Sequence, residues 1–399
     1  MRSGPYTAAM LPLADSVLHV PHSRIRELAE MAMAMPDVLR LYFGESDQPT
    51  PDFIKRAAVQ ALEDGYTFYS ENAGLPSLRG AIAGQYARLH DIELDPTSEV
   101  IVTASGVQAL HLAIRCVLDA GDDALCLTPA WPNGAAIVQL SNATPIELAQ
   151  PLDGARYTVD FDALEAAVSP RTRLLLYTSP SNPLGWTATV EEQRRLLEFA
   201  REHGLWLIAD EVYERLNYQA EEPGDPTPSV LRLATRDDAV IVIGSFSKTY
   251  CMTGWRVGWL VCPSSFGQRA GPLNEFVISH APTFAQKAAE VAIADGEEWV
   301  RSLVSDLREK RDLCLAALRA LPGVTVPDPN GAFYLFPRID GLEDSFEFCR
   351  RLLVESRVGL APGVAFGAGG EGSVRLCYAS DRRVLEAALG RLDAFLRAG

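Results

Sequence analysis

The stretch Ala239-Val-Ile-Val-Ile-Gly-Ser-Phe-Ser-Lys-Thr-Tyr-Cys-Met-Thr-Gly-Trp-Arg-Val-Gly258 is the most informative part of this chain. Its beginning is continuously apolar, which is typical of a strand covered on both faces of a sheet. Lys248 follows between small hydroxyl residues, and Arg256 comes shortly after it. An amine that is partly desolvated near a second cation has a lowered pKa and becomes nucleophilic. The pattern predicts a lysine that forms a Schiff base with an aldehyde cofactor, whose phosphate Ser245, Ser247 and Arg256 would bind.

The alternative for Lys248 is a solvated surface lysine that happens to follow a buried strand. Lysine is rare in this chain, and the other lysines are Lys55, Lys287 and Lys310. Those three lie in helix-like segments of mixed charge, where a solvated amine is the simpler interpretation. Lys248 instead follows an apolar run and is flanked by small hydroxyl residues, so it is the candidate for a reactive lysine.

The composition excludes several classes of protein. The 399 residues carry a formal net charge of −16, which disfavours nucleic acid or an anionic membrane as a partner. No apolar run approaches the roughly 18 residues that span a bilayer, and Asp15 interrupts the mildly apolar N-terminus, so no secretory signal is expected. The 7 cysteines are scattered without paired spacing. We therefore expect a cytoplasmic protein without disulfides and without a metal site.

The pattern of apolar runs predicts an α/β fold. Short runs rich in Val, Ile and Leu alternate with amphipathic helical stretches, as in a mostly parallel sheet between helices. The predicted strands are EVIVTA, DALCLTP, RLLLYTSP, LWLIADE, AVIVIGS and VGWLVCP. After about residue 281 the chain changes to long helices with two strand-like pieces. We predict a large α/β domain at 49–281, a small α+β domain at 282–399, and an N-terminal segment, 1–48, that packs with the small domain.

Functional side chains follow the carboxyl ends of these predicted strands, where ligands bind in open α/β sheets. They comprise an anion site at a helix N-terminus, a stacking indole, an amide, a carboxylate with a phenol, and the lysine. In chain order they are Ser105-Gly106-Val107, Trp131, Asn182, Asp210 with Tyr213, and Ser245 with Lys248. Each has a structural explanation when it is taken alone. Their joint placement predicts one site at one edge of the sheet.

The same residues carry a family resemblance. The segments are YSENAGLPSLRGAI (69–82), TPAWPNG (128–134), SPSNPLGW (179–186), ADEVY (209–213) and SFSKTYCMTGWRVGW (245–259), with Arg375 near the end. They resemble the class I/II aminotransferases, which are fold-type I enzymes dependent on pyridoxal 5'-phosphate, and the resemblance runs over nearly the whole chain. It implies a large domain with a seven-stranded type of sheet, and a homodimer with shared active sites.

The resemblance also implies a role for each site residue. Lys248 would be the internal aldimine lysine and proton carrier, Asp210 would pair with the pyridinium nitrogen, and Tyr213 and Asn182 would bind the ring oxygen. Trp131 would stack on the ring. The phosphate would be held by Ser105, Gly106, Val107, Ser245, Ser247 and Arg256, and by Tyr69 from the neighbouring subunit. Arg375, assisted by Asn182 and the backbone at Gly44, would bind the substrate α-carboxylate.

Four positions depart from the family pattern: Cys251, Leu184, Val364 and Val107. Some aspartate-specific relatives place a lysine at Val107, so its absence weakly disfavours a dicarboxylic substrate. The remaining hints at specificity are Trp186, Phe333 and Tyr334, which indicate either an aromatic substrate pocket or ordinary packing.

Three functions are consistent with these residues. The leading one is a pyridoxal-phosphate-dependent aminotransferase that moves an amino group between an L-amino acid and a 2-oxo acid. A lyase or a β/γ-substitution synthase on the same scaffold is the alternative. The third is a cofactor-binding regulatory protein; relatives of that kind carry an added DNA-binding segment, which we do not expect in this acidic chain with its short N-terminus. The run Gly367-Ala-Gly-Gly-Glu-Gly372 matches a dinucleotide-binding pattern, but a predicted strand follows it where that fingerprint requires a helix.

Overall fold

A computed structural model describes residues 13–18, 20 and 22–398 of the chain. The predicted N-terminal segment therefore lies in part outside the described residues. Among the described residues, no helix combines the length and the apolarity that crossing a bilayer requires.

The strands are short, and seven of the sixteen in the described part of the chain form one large sheet. They are β1 (Leu39–Arg40), β2 (Val100–Thr103), β3 (Asp123–Thr128), β4 (Thr144–Ala149), β5 (Leu152–Asp153), β6 (Arg156–Tyr157), β7 (Thr172–Thr178), β8 (Trp206–Asp210), β9 (Val240–Ser245), β10 (Gly258–Val261), β11 (Val324–Thr325), β12 (Tyr334–Leu335), β13 (Arg338–Ile339), β14 (Val358–Gly359), β15 (Ala361–Pro362) and β16 (Val374–Cys377). The large sheet has seven strands in the order β2-β10-β9-β8-β7-β3-β4. Only β10 runs antiparallel to its neighbours. The predicted α/β fold with a mostly parallel sheet is confirmed.

The helices cover both faces of this sheet and build the C-terminal region. They are α1 (Asp15–Leu18), α2 (Arg24–Met33), α3 (Asp52–Glu63), α4 (Pro76–His90), α5 (Gly106–Val117), α6 (Asn133–Leu140), α7 (Phe161–Ala167), α8 (Val190–His203), α9 (Phe246–Thr249), α10 (Ser264–Glu275), α11 (Thr283–Asp295), α12 (Glu297–Arg319), α13 (Ser345–Ser356) and α14 (Arg382–Ala398). The sequence of α8 explains where this helix begins and ends. A capping box joins Thr189 to Glu192 at its start, and Gly204 ends it in a left-handed conformation.

Successive residues of the central strands pack into two separate apolar cores. On β7, Leu174 and Leu176 join the core beneath α5, α6 and α10, whereas Leu175 and Tyr177 join the core beneath α4, α8 and α11. Because side chains alternate across a strand, a strand buried on both faces must be apolar at nearly every position. This explains the continuous apolar runs of the central strands.

The sheet's seventh strand, β4, is not among the six strands that the sequence analysis named. It lies at the edge beside β3, and all of its residues are exposed or half-buried. An edge strand needs no continuous apolar run, so the TPIELA segment does not show the pattern used to find the others.

Three small sheets bring distant segments together in the C-terminal half. β1 pairs in parallel with β14, so the N-terminal region contacts the C-terminal region. β16 lies between β12 and β15, while β11 pairs with β13. α11 packs mainly against α3 and α4, on the side of the large sheet. The division of the chain into three segments at residues 48 and 281 stays a prediction.

Candidate active site

A cavity of ≈ 200 Å³ opens at the carboxyl edge of the large sheet. It is lined by twelve of the predicted site residues, namely Gly44, Ser105, Gly106, Val107, Trp131, Asn182, Asp210, Tyr213, Ser245, Ser247, Lys248 and Arg256. The ends of β2, β8 and β9 deliver several of them, because parallel strands end at the same edge. Of the predicted site residues, Arg375 and Tyr69 do not line this cavity.

Lys248 lies in the short helix α9, directly after the buried strand β9. Its amine donates a hydrogen bond of 2.6 Å to the backbone oxygen of Gly44. The pKa of Lys248 is lowered to about 8, mainly by burial. The nearby Arg375 and Arg256 contribute to the lowering, whereas Cys377 and Glu45 oppose it. An amine with this pKa is substantially neutral in mildly alkaline solution, which makes it a usable nucleophile and base.

Asp210 is the last residue of β8 and is the acidic group of this cavity. Burial raises the pKa of Asp210 to about 6, although the Val212 N–H and the Lys248 amine both favour its ionised form. The Val212 N–H donates to a carboxylate oxygen at 3.3 Å. A carboxylate that has lost its hydration on burial is stabilised by a cation placed beside it. The next residue, Glu211, accepts from the backbone N–H of Val230 and does not line the cavity.

Arg375 is completely buried behind the cavity, on β16. It donates to the side-chain oxygen of Asn182 at 2.8 Å and to the backbone oxygen of Tyr42. Among the described residues, its Nε has no hydrogen-bond partner. A buried guanidinium with an unused donor is suited to an anionic ligand. Arg375 therefore lies beside Asn182 with a donor that a carboxylate could use.

The aromatic side chains on this side of the cavity form a connected group. The hydroxyls of Tyr213 and Tyr334 lie 2.8 Å apart and share a hydrogen bond. Burial raises the pKa of both phenols, so both stay protonated at neutral pH. The Arg375 guanidinium lies 4.7 Å from the Tyr334 ring, and Phe333 packs edge-on against Tyr213.

The opposite end of the cavity is built to accept an anion. α5 begins at Gly106, and the Ser105 side chain accepts from the Gln108 N–H. Ser105 has φ = 108°, a strained value for a residue with a side chain. A Cβ on Gly258 would overlap the backbone of Ser105 and Gly106, so β10 approaches this turn closely. The helix N-terminus leaves backbone N–H groups free for a phosphate, and the exposed Arg256 lies at the same end.

These observations fit pyridoxal phosphate. The free N–H groups and Arg256 suit its phosphate, the buried Asp210 suits its ring nitrogen, and the Tyr213 phenol suits its ring oxygen. The half-buried indole of Trp131 is available to stack on the ring. Among the described residues, no group of acidic, histidine and cysteine side chains could hold a metal ion.

Tyr69 lies outside the cavity, on an exposed aromatic surface. It is 90% exposed and packs edge-on against His280, next to the 80% exposed Phe68. Phe276 is a further exposed aromatic residue, at 84%. The structure of one chain thus does not bring Tyr69 to Lys248.

Several residues of the cavity are absent from the sequence prediction of the site: Leu110, Asn133, Thr178, Val212 and Thr253. Each lies close in the chain to a predicted site residue. This proximity is the signal by which the sequence could have identified them. The sequence did not decide whether Phe333, Tyr334 and Trp186 belong to a substrate pocket or only pack in the core. Tyr334 lines the cavity and Phe333 lies 5.9 Å from the Lys248 amine, whereas Trp186 is buried away from it.

The glycine-rich run at 367–372 is a loop that leads into β16. A short 3-10 helix, Gly363–Phe366, precedes it, and no helix follows it directly. The predicted mismatch with a dinucleotide-binding fingerprint is confirmed.

Comparison with known proteins gives a consistent family. The family model "Aminotransferase class I and II" matches residues 36–392. An aspartate aminotransferase of Pyrococcus horikoshii is 35% identical over 388 residues, which cover 96% of this chain and 97% of the relative. An aromatic-amino-acid aminotransferase of Thermococcus litoralis is 33% identical, with 97% and 99% coverage. Among solved structures, the aromatic aminotransferase of Pyrococcus horikoshii superposes with a TM-score of 0.86 at 34% identity, covering 94% of this chain and 99% of that one.

Proposed function

Because this chain belongs to the class I and II aminotransferase family, we propose that the cavity around Lys248 is its active site. The protein is a pyridoxal-phosphate-dependent aminotransferase of fold type I, which exchanges an amino group between an amino acid and a 2-oxo acid. The observation that carries the assignment of the site is the Lys248 amine, which burial makes less basic, facing Asp210 across the cavity.

Lys248 is the group that moves the proton of the substrate. Bound pyridoxal phosphate supplies an electron-withdrawing ring that delocalises the charge left when Cα loses its proton. The Lys248 amine takes that proton from Cα and later returns it, because its pKa of about 8 lies near neutrality. The hydrogen bond to the Gly44 oxygen, 2.6 Å long, holds the amine in the cavity.

Asp210 and Tyr213 set the charge of the cofactor ring. Asp210 would accept a hydrogen bond from the ring nitrogen and keep it protonated, since a buried carboxylate favours a cation beside it. Tyr213 and Asn182 would bind the ring oxygen, and Trp131 would stack on the ring. Ser105, Gly106, Val107, Ser245, Ser247 and Arg256 hold the phosphate.

Arg375 fixes the orientation of the substrate. Its guanidinium, which donates to Asn182, would bind the α-carboxylate, assisted by Asn182 and the backbone at Gly44. Holding the carboxylate would decide which bond of Cα is presented for cleavage. The aminotransferase reaction follows when this bond is the C–H bond that faces Lys248. The names of the relatives favour this outcome over the lyase and synthase alternatives.

The active enzyme is a homodimer with shared active sites. The exposed surface around Phe68, Tyr69 and Phe276 is apolar enough to serve as its interface, and across that interface Tyr69 reaches the phosphate of the partner. The 7 cysteines are all free, which agrees with a cytoplasmic enzyme. The large domain at 49–281 would provide the cofactor site, and the small domain at 282–399 would provide Arg375, which donates to Tyr42 of the N-terminal segment and to Asn182 of the large domain.

Replacement of Lys248 tests this function. Lys248→Ala should bind pyridoxal phosphate without the absorbance band of the lysine-linked cofactor, and its amino-group transfer should fall by at least about a thousandfold. Lys55→Ala is the matched control, because Lys55 is exposed and paired with Asp52. Turnover by Lys248→Ala at the rate of the Lys55→Ala protein would refute the assignment.

Analysis of the products distinguishes an aminotransferase from a lyase. Incubation with an amino acid alone should convert the bound cofactor to pyridoxamine phosphate, with one equivalent of 2-oxo acid released. Release of ammonia in the same amount as 2-oxo acid would instead identify a lyase.

A further inference from the structure

A second cavity, of ≈ 410 Å³, adjoins the cofactor cavity. The two share Leu110, Trp131, Asn133, Thr178 and Asp210 as a common wall. The second cavity extends from this wall along α6 and beneath the chain just before α2. None of the roles assigned above uses this space.

The second cavity begins beside the arginine that binds the carboxylate. The Arg375 guanidinium carbon lies 4.9 Å from the Phe366 ring and 6.0 Å from the Trp131 ring. Both rings also line the second cavity. A substrate held by Arg375 with its Cα near Lys248 therefore has this cavity within reach of its side chain.

The walls of the second cavity are largely apolar and include unusually small residues. On α6, the small side chains of Ala135 and Ala136 line the space, while Gly134 lets the helix pack closely on Leu176, which a Cβ there would overlap. Val364, which stands where the family pattern has a serine, adds a branched apolar side chain from the other side. Space of this size and character suits a bulky apolar group.

The charges at the second cavity disfavour an acidic side chain. Glu147 lines it and accepts the Ala368 N–H at 2.7 Å. The cationic Arg24 is exposed at the rim and already donates to Glu27 at 3.1 Å. A second carboxylate inside the cavity would thus lie near Glu147, and the like charges would repel each other.

We propose that the second cavity binds the side chain of the amino donor, and that the preferred donors carry large uncharged side chains, aromatic or branched aliphatic. The proposal rests on the aminotransferase function and deepens it. The proposed donors differ from the substrate in the name of the aspartate aminotransferase relative and agree with that in the name of the aromatic-amino-acid aminotransferase.

Single-turnover kinetics of the holoenzyme test the preference. The absorbance of the bound cofactor is followed after mixing with phenylalanine, leucine, alanine, aspartate or glutamate. Phenylalanine or leucine should react with a kcat/KM at least about tenfold above that of aspartate and glutamate, in line with the selectivity that a filled pocket provides. A tenfold preference for aspartate or glutamate would overturn the proposal and leave the aminotransferase function intact. No absorbance change with any amino acid would overturn the function itself.

Filling the cavity tests its location. Val364→Trp should lower kcat/KM for phenylalanine by roughly ten- to a hundredfold and that for alanine by less than about threefold. Val354→Trp is the control, since Val354 is equally exposed, at 42%, but lies on α13 outside the cavity. Ala136→Leu narrows the same space from α6 and serves if Val364→Trp does not fold. Equal losses for both substrates, or no loss with either variant, would show that the side chain lies elsewhere.

Removing the negative charge tests the electrostatic argument. Glu147→Gln keeps an oxygen for the Ala368 N–H, so the loop should stay in place. The ratio of kcat/KM for phenylalanine to that for aspartate should fall by at least about fivefold. An unchanged ratio would show that Glu147 does not face the donor side chain.

Discussion

At the scale of single residues, the site depends on how burial changes ordinary side chains. Lys248 and Asp210 are of opposite charge, and burial shifts the pKa of each toward neutrality, to about 8 and about 6. Each pKa shift disfavours the ionised form of its group. An amine and a carboxyl whose pKa values both lie near neutral pH are suited to proton transfer and to binding a cofactor ring that itself gains and loses protons.

The pKa of Lys248 predicts the pH dependence of cofactor binding. The neutral amine is the nucleophile, so the rate at which cofactor-free protein takes up pyridoxal phosphate should rise about tenfold per pH unit up to about pH 8 and then level off. Stopped-flow absorbance measures this rate. A rate that keeps rising tenfold per unit at pH 9–10 would indicate a lysine of ordinary pKa, and Lys248→Ala should show no such phase.

Tyr334 is expected to adjust the strength of Tyr213 as a hydrogen-bond donor. Its hydroxyl, 2.8 Å from that of Tyr213, opposes the effect of burial and lowers the pKa of Tyr213. Tyr334→Phe should weaken the bond from Tyr213 to the ring oxygen, so that oxygen would hold the neighbouring proton of the bound cofactor more tightly. The pH midpoint of the cofactor absorbance should rise by roughly half a unit.

A second buried tyrosine provides the control for this prediction. Tyr218 donates to the backbone oxygen of Ala332, away from the cavity. Tyr218→Phe should leave the midpoint unchanged. A fall in the midpoint for Tyr334→Phe would contradict the proposed direction.

At the scale of elements, the site is assembled by the ends of neighbouring strands. β2 leads into α5 and β9 leads into α9, while β10 lies between these two strands. The antiparallel β10 therefore places its first residue, Gly258, beside the turn that starts α5. The close approach leaves no room for a side chain at that position.

Gly258→Ala should damage the phosphate end of the site. The new Cβ would overlap the backbone of Ser105 and Gly106, so the start of α5 must shift at a cost of about 1–3 kcal/mol. The affinity for pyridoxal phosphate should fall at least about tenfold, as measured by equilibrium dialysis. Gly254→Ala is the control, because a Cβ there has no atom within 4 Å. Equal affinities of the two variants would refute the role of Gly258.

The strand patterns explain which elements could be read from the sequence. Continuous apolar runs identified β2, β3, β7, β8, β9 and β10, since burial on both faces demands them. The edge strand β4 and the two-residue strands β1, β14 and β15 lack that signal. The latter depend on pairing with distant segments, as between β1 and β14.

At the scale of the whole molecule, a single chain leaves part of its proposed site uncovered. Phe68 and Tyr69 remain exposed on a surface that also includes Tyr66 and His280 around a shallow cavity of ≈ 490 Å³. Exposed aromatic residues in such a group are typical of an interface. A two-fold dimer would bury the surface and carry each Tyr69 to the other subunit.

Subunit mixing tests the shared sites. The Lys248→Ala and Tyr69→Ala proteins are each expected to be impaired, but a mixed dimer would hold one site with both native residues. After equal mixing and exchange of subunits, about half of the dimers are mixed, so about a quarter of the native sites should return. Activity equal to the mean of the two separate variants would show that Tyr69 acts within its own chain or not at all.

The sequence alone determined the class of the sheet and most of the residues that line the cavity around Lys248, because these depend on local patterns: apolar runs for strands, and polar residues placed directly at their ends. Only the tertiary structure decided the long-range pairs. Lys248 meets Gly44 across 204 residues, Arg375 meets Asn182 across 193, and Tyr213 meets Tyr334 across 121. The volume beyond Trp131 is likewise a product of packing between α6 and a distant loop. No local pattern encodes such distances, since they follow from how whole elements fill space against each other.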